Sequence, residues 1–148
     1  MLVIEDDPGT RRLLELVLHA AGHDVLSATD GDEAIRVLGE THVDVIVLDL
    51  LLPRKSGIEF LRVRRQLAAW LQVPVIVISA MPELDALRTE LRYLGAGAVL
   101  RKPFDVAVLT AAIDAHRRKR RSRTASQPSG FGAMGHTPAL APPQRHVT

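Results

Sequence analysis

Five short apolar segments alternate with five amphipathic ones along the first 116 residues, and this rhythm limits the fold more than any other feature of the chain. Leu2 to Ile4 reads as a first strand, followed by a helical stripe of Leu13, Leu14, Val17, Leu18 and Ala21 that Gly22 stops. "HDVLSA" (23–28) predicts a second strand, then Asp32 to Leu38 a short helix ended by Gly39. "VDVIVL" (43–48) predicts the third strand, and Gly57 to about Trp70 a helix carrying Ile58, Leu61 and Leu67. "VPVIVIS" (73–79) is the fourth strand, and Leu84, Leu87, Leu91 and Leu94 form a core stripe closed by Gly95. "AVL" (98–100) and a helix from Asp105 to about His116, with Val106, Leu109 and Ile113 facing in, complete the series.

Strands and helices in strict alternation predict an α/β fold with a parallel sheet covered on both faces. The third and fourth strands are apolar at nearly every position, as strands buried on both sides must be. Five units are too few for a closed eight-unit barrel, so the expected architecture is an open doubly wound sheet.

Beyond His116 the character changes. "RRKRRSR" (117–123) is a run of one charge, and the residues after it are rich in Pro, Gly, Ser, Thr and Ala without periodicity. The expectation is an ordered domain over 1–120 and a disordered basic tail over 121–148. Residues 1–116 carry 12 Lys and Arg against 17 Asp and Glu, a balance of −5, while residues 117–148 carry seven cations and no acid. The basic run reads first as a solvated helix end, its cations matched to the helix dipole. A sharper reading is weak, salt-sensitive contact with nucleic acid or an acidic partner. The chain has no Cys, which excludes disulfides and thiolate metal sites, and none of its six His is spaced to pair with another. No apolar run nears the roughly 18 residues needed to span a bilayer. The chain opens directly in "MLVIEDD" without a basic leader, so the expected location is the cytoplasm.

One residue conflicts with its surroundings. Asp49 lies in the apolar run "VDVIVLDLLLP", where an unpaired charge costs several kcal/mol. In open α/β sheets, ligands bind beyond the carboxyl ends of the strands. The polar residues falling there are Glu5-Asp6-Asp7, Asp49, Ser79 and Arg101-Lys102. Asp7, just before Pro8, also reads as the cap of the first helix. Converging carboxylates need a cation, and with neither Cys nor His among them a hard, oxygen-binding ion fits: Mg²⁺, or Mn²⁺ as a substitute. A carboxylate nucleophile beside a metal, a Lys and a Ser has the parts needed for phosphoryl transfer.

"VIEDD", "VDVIVLDLLLPRKSG", "VIVISA" and "GAGAVLRKPF" stand in an order and spacing that resemble the receiver domain of two-component response regulators, over residues 1 to about 118. The resemblance implies a flavodoxin-like sheet of order 2-1-3-4-5 with five helices. It implies that Asp49 is the phosphoacceptor, served by a sensor histidine kinase or a histidine phosphotransfer protein. Glu5, Asp6, Asp49 and the Leu51 backbone carbonyl would hold Mg²⁺, with Glu5 acting mainly through water. Ser79 would hydrogen-bond the phosphoryl oxygen, Lys102 would pair with Asp49, Lys102-Pro103 would be cis, and Gly57 would be the family's turn glycine. Output would be contact with a downstream protein through the fourth helix, fifth strand and last helix, without turnover enzymology.

Three positions depart from the family pattern. Val99 stands where an aromatic residue usually swings inward on phosphorylation, so the expected output is less steep or uses other parts of the last two helices. Leu51 and Met81 flank the acceptor and cannot orient a hydrolytic water, which predicts a slowly decaying phosphoaspartate. An alternative reading is the receiver part of a DNA-binding regulator without its effector. A third, an aspartate-nucleophile phosphatase, would need an acid at Leu51.

Overall fold

The computed structural model describes residues 1–125. Its elements are β1 (Leu2–Ile4), α1 (Pro8–Ala20), β2 (Leu26–Ala28), α2 (Gly31–Glu40), β3 (Ile46–Asp49), α3 (Gly57–Gln66), β4 (Val75–Ser79), α4 (Leu84–Tyr93), β5 (Ala96–Arg101) and α5 (Val106–Ala125). A short 3-10 turn, Ala68–Trp70, follows α3. All strand pairs are parallel, in the order β2-β1-β3-β4-β5. This is the open parallel sheet the alternation predicts, in the flavodoxin-like order the resemblance implies.

Alternate side chains of a strand point to opposite faces, and the core divides accordingly. Leu2, Ile4, Ile46, Leu48, Val75 and Val77 face one cluster with Ala34 and Leu38 of α2, Phe60 and Leu61 of α3, and Leu84 and Leu91 of α4. Val3, Val45, Val47, Ile76 and Ile78 face the other with Leu14 and Leu18 of α1 and Leu109 and Ile113 of α5. Each fully buried aliphatic side chain adds about 1.5–3 kcal/mol, so the strands are held from both faces. Among the described residues, no helix is long and apolar enough to cross a membrane.

Several boundaries differ from the sequence expectation. Leu13 lies off the buried stripe of α1 and is 56% exposed. β2 begins at Leu26 because His23 finishes α1, its N–H donating to the Leu18 carbonyl. Gly39 does not stop α2, which runs to Glu40 and closes with the Thr41 N–H on the Val37 carbonyl. α3 ends at Gln66, and Leu67 turns outward rather than packing. β5 is longer than expected at both ends.

The largest difference is α5, which passes His116 and continues through the basic run to Ala125. Its cations are not simply solvated. Arg117 pairs with Asp44 at 2.7 Å and contacts the His23 ring at 2.6 Å, and Arg120 donates to the Val43 carbonyl at 3.4 Å. The helix is therefore pinned across the entry of β3 just where sequence reasoning ended it. The part of the expected disordered tail from residue 126 onward lies outside the described residues.

Candidate functional site

Parallel strands bring their carboxyl ends to one edge, and the expected polar residues gather there. β1 runs directly into Glu5, β3 ends at Asp49, β4 at Ser79, and β5 hands the chain to Lys102. Register sets β1 beside β3 with Ile4 opposite Leu48, and β4 beside β5 with Ser79 opposite Arg101.

Lys102 joins the cluster. Its Nζ donates to Glu5 Oε2 at 2.6 Å and to Asp49 Oδ2 at 2.9 Å. Both carboxylate side chains are almost wholly buried, at 1% and 5% exposure. Burial pushes the Glu5 carboxyl above its usual range, and the nearby Asp49 charge adds to this, against the opposing hydrogen bond from Lys102. Burial pulls the Lys102 ammonium down, but its hydrogen bonds and charge interactions with Glu5 and Asp49 win and hold it above the ordinary lysine value. The Leu51 N–H donates to Asp49 Oδ1 at 3.1 Å, so both oxygens of Asp49 have partners.

Asp6 faces outward, yet one carboxylate oxygen from each of Glu5, Asp6 and Asp49 falls within 4.8 Å of the others. An all-oxygen, triply acidic set with a single lysine against it suits a small hard cation such as Mg²⁺. Arg11 steadies this edge by donating to the Glu5 and Asp6 carbonyls at 3.0 and 3.1 Å. Ser79 is buried at the same edge, its hydroxyl accepting the Met81 N–H at 3.2 Å and its carbonyl accepting the Lys102 N–H at 2.9 Å.

Local structure fixes the frame. The Asp7 side chain accepts the Thr10 N–H at 2.6 Å, the expected cap of α1. Lys102-Pro103 is cis. At Gly57 the Leu50 carbonyl accepts the N–H at 3.1 Å, and a Cβ there would lie 2.4 Å from the Asp49 carbonyl oxygen. Only glycine lets α3 start this close to the end of β3.

Two ion networks escaped sequence reasoning. Arg101 donates to the Met81 carbonyl and pairs with Asp85 of α4, both at 2.9 Å. Asp85 also holds Arg88, which in turn donates to the Val99 carbonyl. Buried Asp30 caps α2 and pairs with Arg54, in the loop after β3. Such pairs join distant segments and leave no local period in the sequence.

Residues 1–114 match the model of the response regulator receiver domain family. The chain is 40% identical over 124 residues to the transcriptional regulatory protein MalR of Bacillus subtilis, covering 82% of this chain and 51% of MalR. It is 33% identical over 116 residues to protein PilG of Pseudomonas aeruginosa, covering 78% of this chain and 85% of PilG. Among solved structures, the receiver domain of the Francisella response regulator 1452 superposes with a TM-score of 0.73 at 28% identity, over 80% of this chain and 95% of that one. The chain spans about half the length of the transcriptional regulators it matches. With a family match over most of its length and relatives aligned along the same stretch, the chain belongs to the response regulator receiver domains of two-component signalling.

Proposed function

We propose that this receiver accepts a phosphoryl group on Asp49 in a Mg²⁺-dependent step and uses it to change contacts with other proteins. The observation that carries this reading is Lys102 bridging Glu5 and Asp49 while three carboxylate oxygens crowd within 4.8 Å. A Mg²⁺ ion held by Asp6, Asp49 and the Leu51 carbonyl, with Glu5 behind it through water, would neutralise charge on the phosphoryl oxygens.

The transfer uses this chain's own groups. A carboxylate oxygen of Asp49 attacks the phosphorus of a donor phosphohistidine; the P–O bond forms as the P–N bond breaks. The bonding pair leaves on the imidazole nitrogen, which takes a proton from solvent, and Asp49 becomes an acyl phosphate. Lys102 exchanges its contact with Asp49 for one with the new phosphoryl oxygens, and the Ser79 hydroxyl donates to another. The donor is a sensor histidine kinase or a histidine phosphotransfer protein, and the chain acts in the cytoplasm as a switch rather than a turnover enzyme.

Output runs through α4, β5 and α5. Val99 has no ring to swing, so the signal travels instead through the contacts that tie α4 to β5: Asp85 with Arg88 and Arg101, and Arg101 with the Met81 carbonyl two residues past Ser79. A second reading is the receiver half of a DNA-binding regulator, favoured by the half-length match to MalR.

Phosphoramidate, a small P–N donor, tests the proposal. A ³¹P acyl-phosphate resonance should appear with Mg²⁺ and be absent in EDTA. A folded, Mg²⁺-binding chain that gives no such resonance contradicts it.

A further inference from the structure

At the opposite end of the sheet from Asp49, a cavity of about 410 Å³ opens where the chain enters β4 and β5, beneath the last turns of α5. That volume is in the range of small-molecule sites. Arg64, Lys119, Arg120 and Arg123 line it, and no Asp or Glu does. Lys119 and Arg123 sit one helical turn apart and so project on the same side of α5. Neither has an acidic partner among the described residues.

Arg64 is the unusual member. It is 1% exposed, the largest fully buried side chain of the described residues, and has no carboxylate partner among them. Its Nη2 donates to the carbonyls of Leu71 and Val73, bracing the turn after α3. That structural role leaves Nε and Nη1 buried without any hydrogen-bond partner. An orphaned buried donor is costly, and more so when charged, so bracing two carbonyls does not account for the guanidinium. Burial lowers it to about 10, which leaves it cationic at neutral pH. Gly95, at φ +95, holds the opposite wall back: a Cβ there would stand 3.0 Å from Arg64 Nη1.

We propose that this cavity binds a condensed phosphate, with Arg64 as the buried charge at its base and Lys119 and Arg123 closing over it from α5. Three cations without counter-charge call for more than one negative charge, and two linked phosphates present these within the space available. Inorganic pyrophosphate and a nucleoside diphosphate share that chemistry. Bound there, either would fasten α5 to the lower edge of the sheet. The site is independent of the Asp49 cluster, which repels anions when no metal is present.

The test is isothermal titration of the full chain in EDTA with inorganic pyrophosphate, then with adenosine diphosphate. Pyrophosphate should bind one-to-one, and the paired change Lys119→Gln/Arg123→Gln, at exposed positions, should weaken it by about tenfold or more. Arg64→Met should weaken it comparably, and Asp49→Ala should leave it unchanged. Tighter binding of the diphosphate would identify a nucleotide site, and weaker binding a site for the inorganic ion. The proposal is overturned by no binding beyond that of sulfate at equal ionic strength. Undiminished binding in the Lys119/Arg123 variant or in a folded Arg64→Met protein would also overturn it.

Discussion

Lys102 holds two buried carboxylates at once, Glu5 at 2.6 Å and Asp49 at 2.9 Å. Removing it strands both charges, and uncompensated buried charge is among the costliest single defects. Lys102→Ala should cost about 2 kcal/mol, less than a fully buried pair because the lysine side chain retains 20% exposure. A group whose folded value is raised contributes its stability in full below its unfolded value and loses it as pH rises through the folded one. At pH 7 the contribution of Lys102 is therefore intact, and a urea titration there reads the whole deficit. Added Mg²⁺ should restore part of it by supplying the missing positive charge; a variant as stable as wild type without metal would contradict this. Leu51 and Met81 bear on the next event. Neither can orient water, so the acyl phosphate should outlast many minutes, and Leu51→Asn should shorten it by giving water a hydrogen-bonding partner. Decay of the wild type within seconds would refute the assignment.

Elements positioned by period and punctuation are legible in the sequence, whereas those set by distant partners are not. Val45 to Leu48 and Val75 to Ile78 are apolar without interruption and lie in and beside β3 and β4, two interior strands of the sheet. The polar residues gathered at the strand ends are legible for the same reason, since a polar residue ending such a run stands out. β2 starts late because an edge strand has one neighbour and His23 is taken by the end of α1. The extension of α5 depends on Asp44 and Val43, more than 70 residues away, and no local pattern signals them. Likewise the pairing of Arg101 leaves no local signal, because its partner Asp85 lies across the α4–β5 junction. Gly57 gives the sharpest test at this scale. A methyl group there meets backbone rather than a movable side chain, so Gly57→Ala should cost about 1–3 kcal/mol. It should also weaken Mg²⁺ binding by displacing the end of β3. An unperturbed Mg²⁺ titration would separate α3 from the site.

Across the whole molecule, an acidic body is clasped by a basic helix, and the clasp is sensitive to pH. Burial and the adjoining Arg117 lower the His23 imidazole below its usual value, only partly offset by Asp114 and Asp44, with the amino terminus adding to the lowering. Its ring nitrogen lies 2.6 Å from the Arg117 guanidinium, a contact that suits neutral imidazole as acceptor. A depressed histidine contributes stability that is present above about pH 6.5 and is lost as pH falls through the lower folded value. Wild type should therefore lose urea resistance from pH 6.5 downward more steeply than His23→Asn, and parallel profiles would show that the clasp does not titrate here. The most direct test of the central claim is the intact mass of the full chain after incubation with acetyl phosphate, with Mg²⁺ or EDTA, for wild type and Asp49→Ala. The account predicts one added phosphoryl group on wild type with Mg²⁺ and none in the other three samples. Equal phosphorylation of Asp49→Ala would contradict it, because the acceptor would then lie elsewhere.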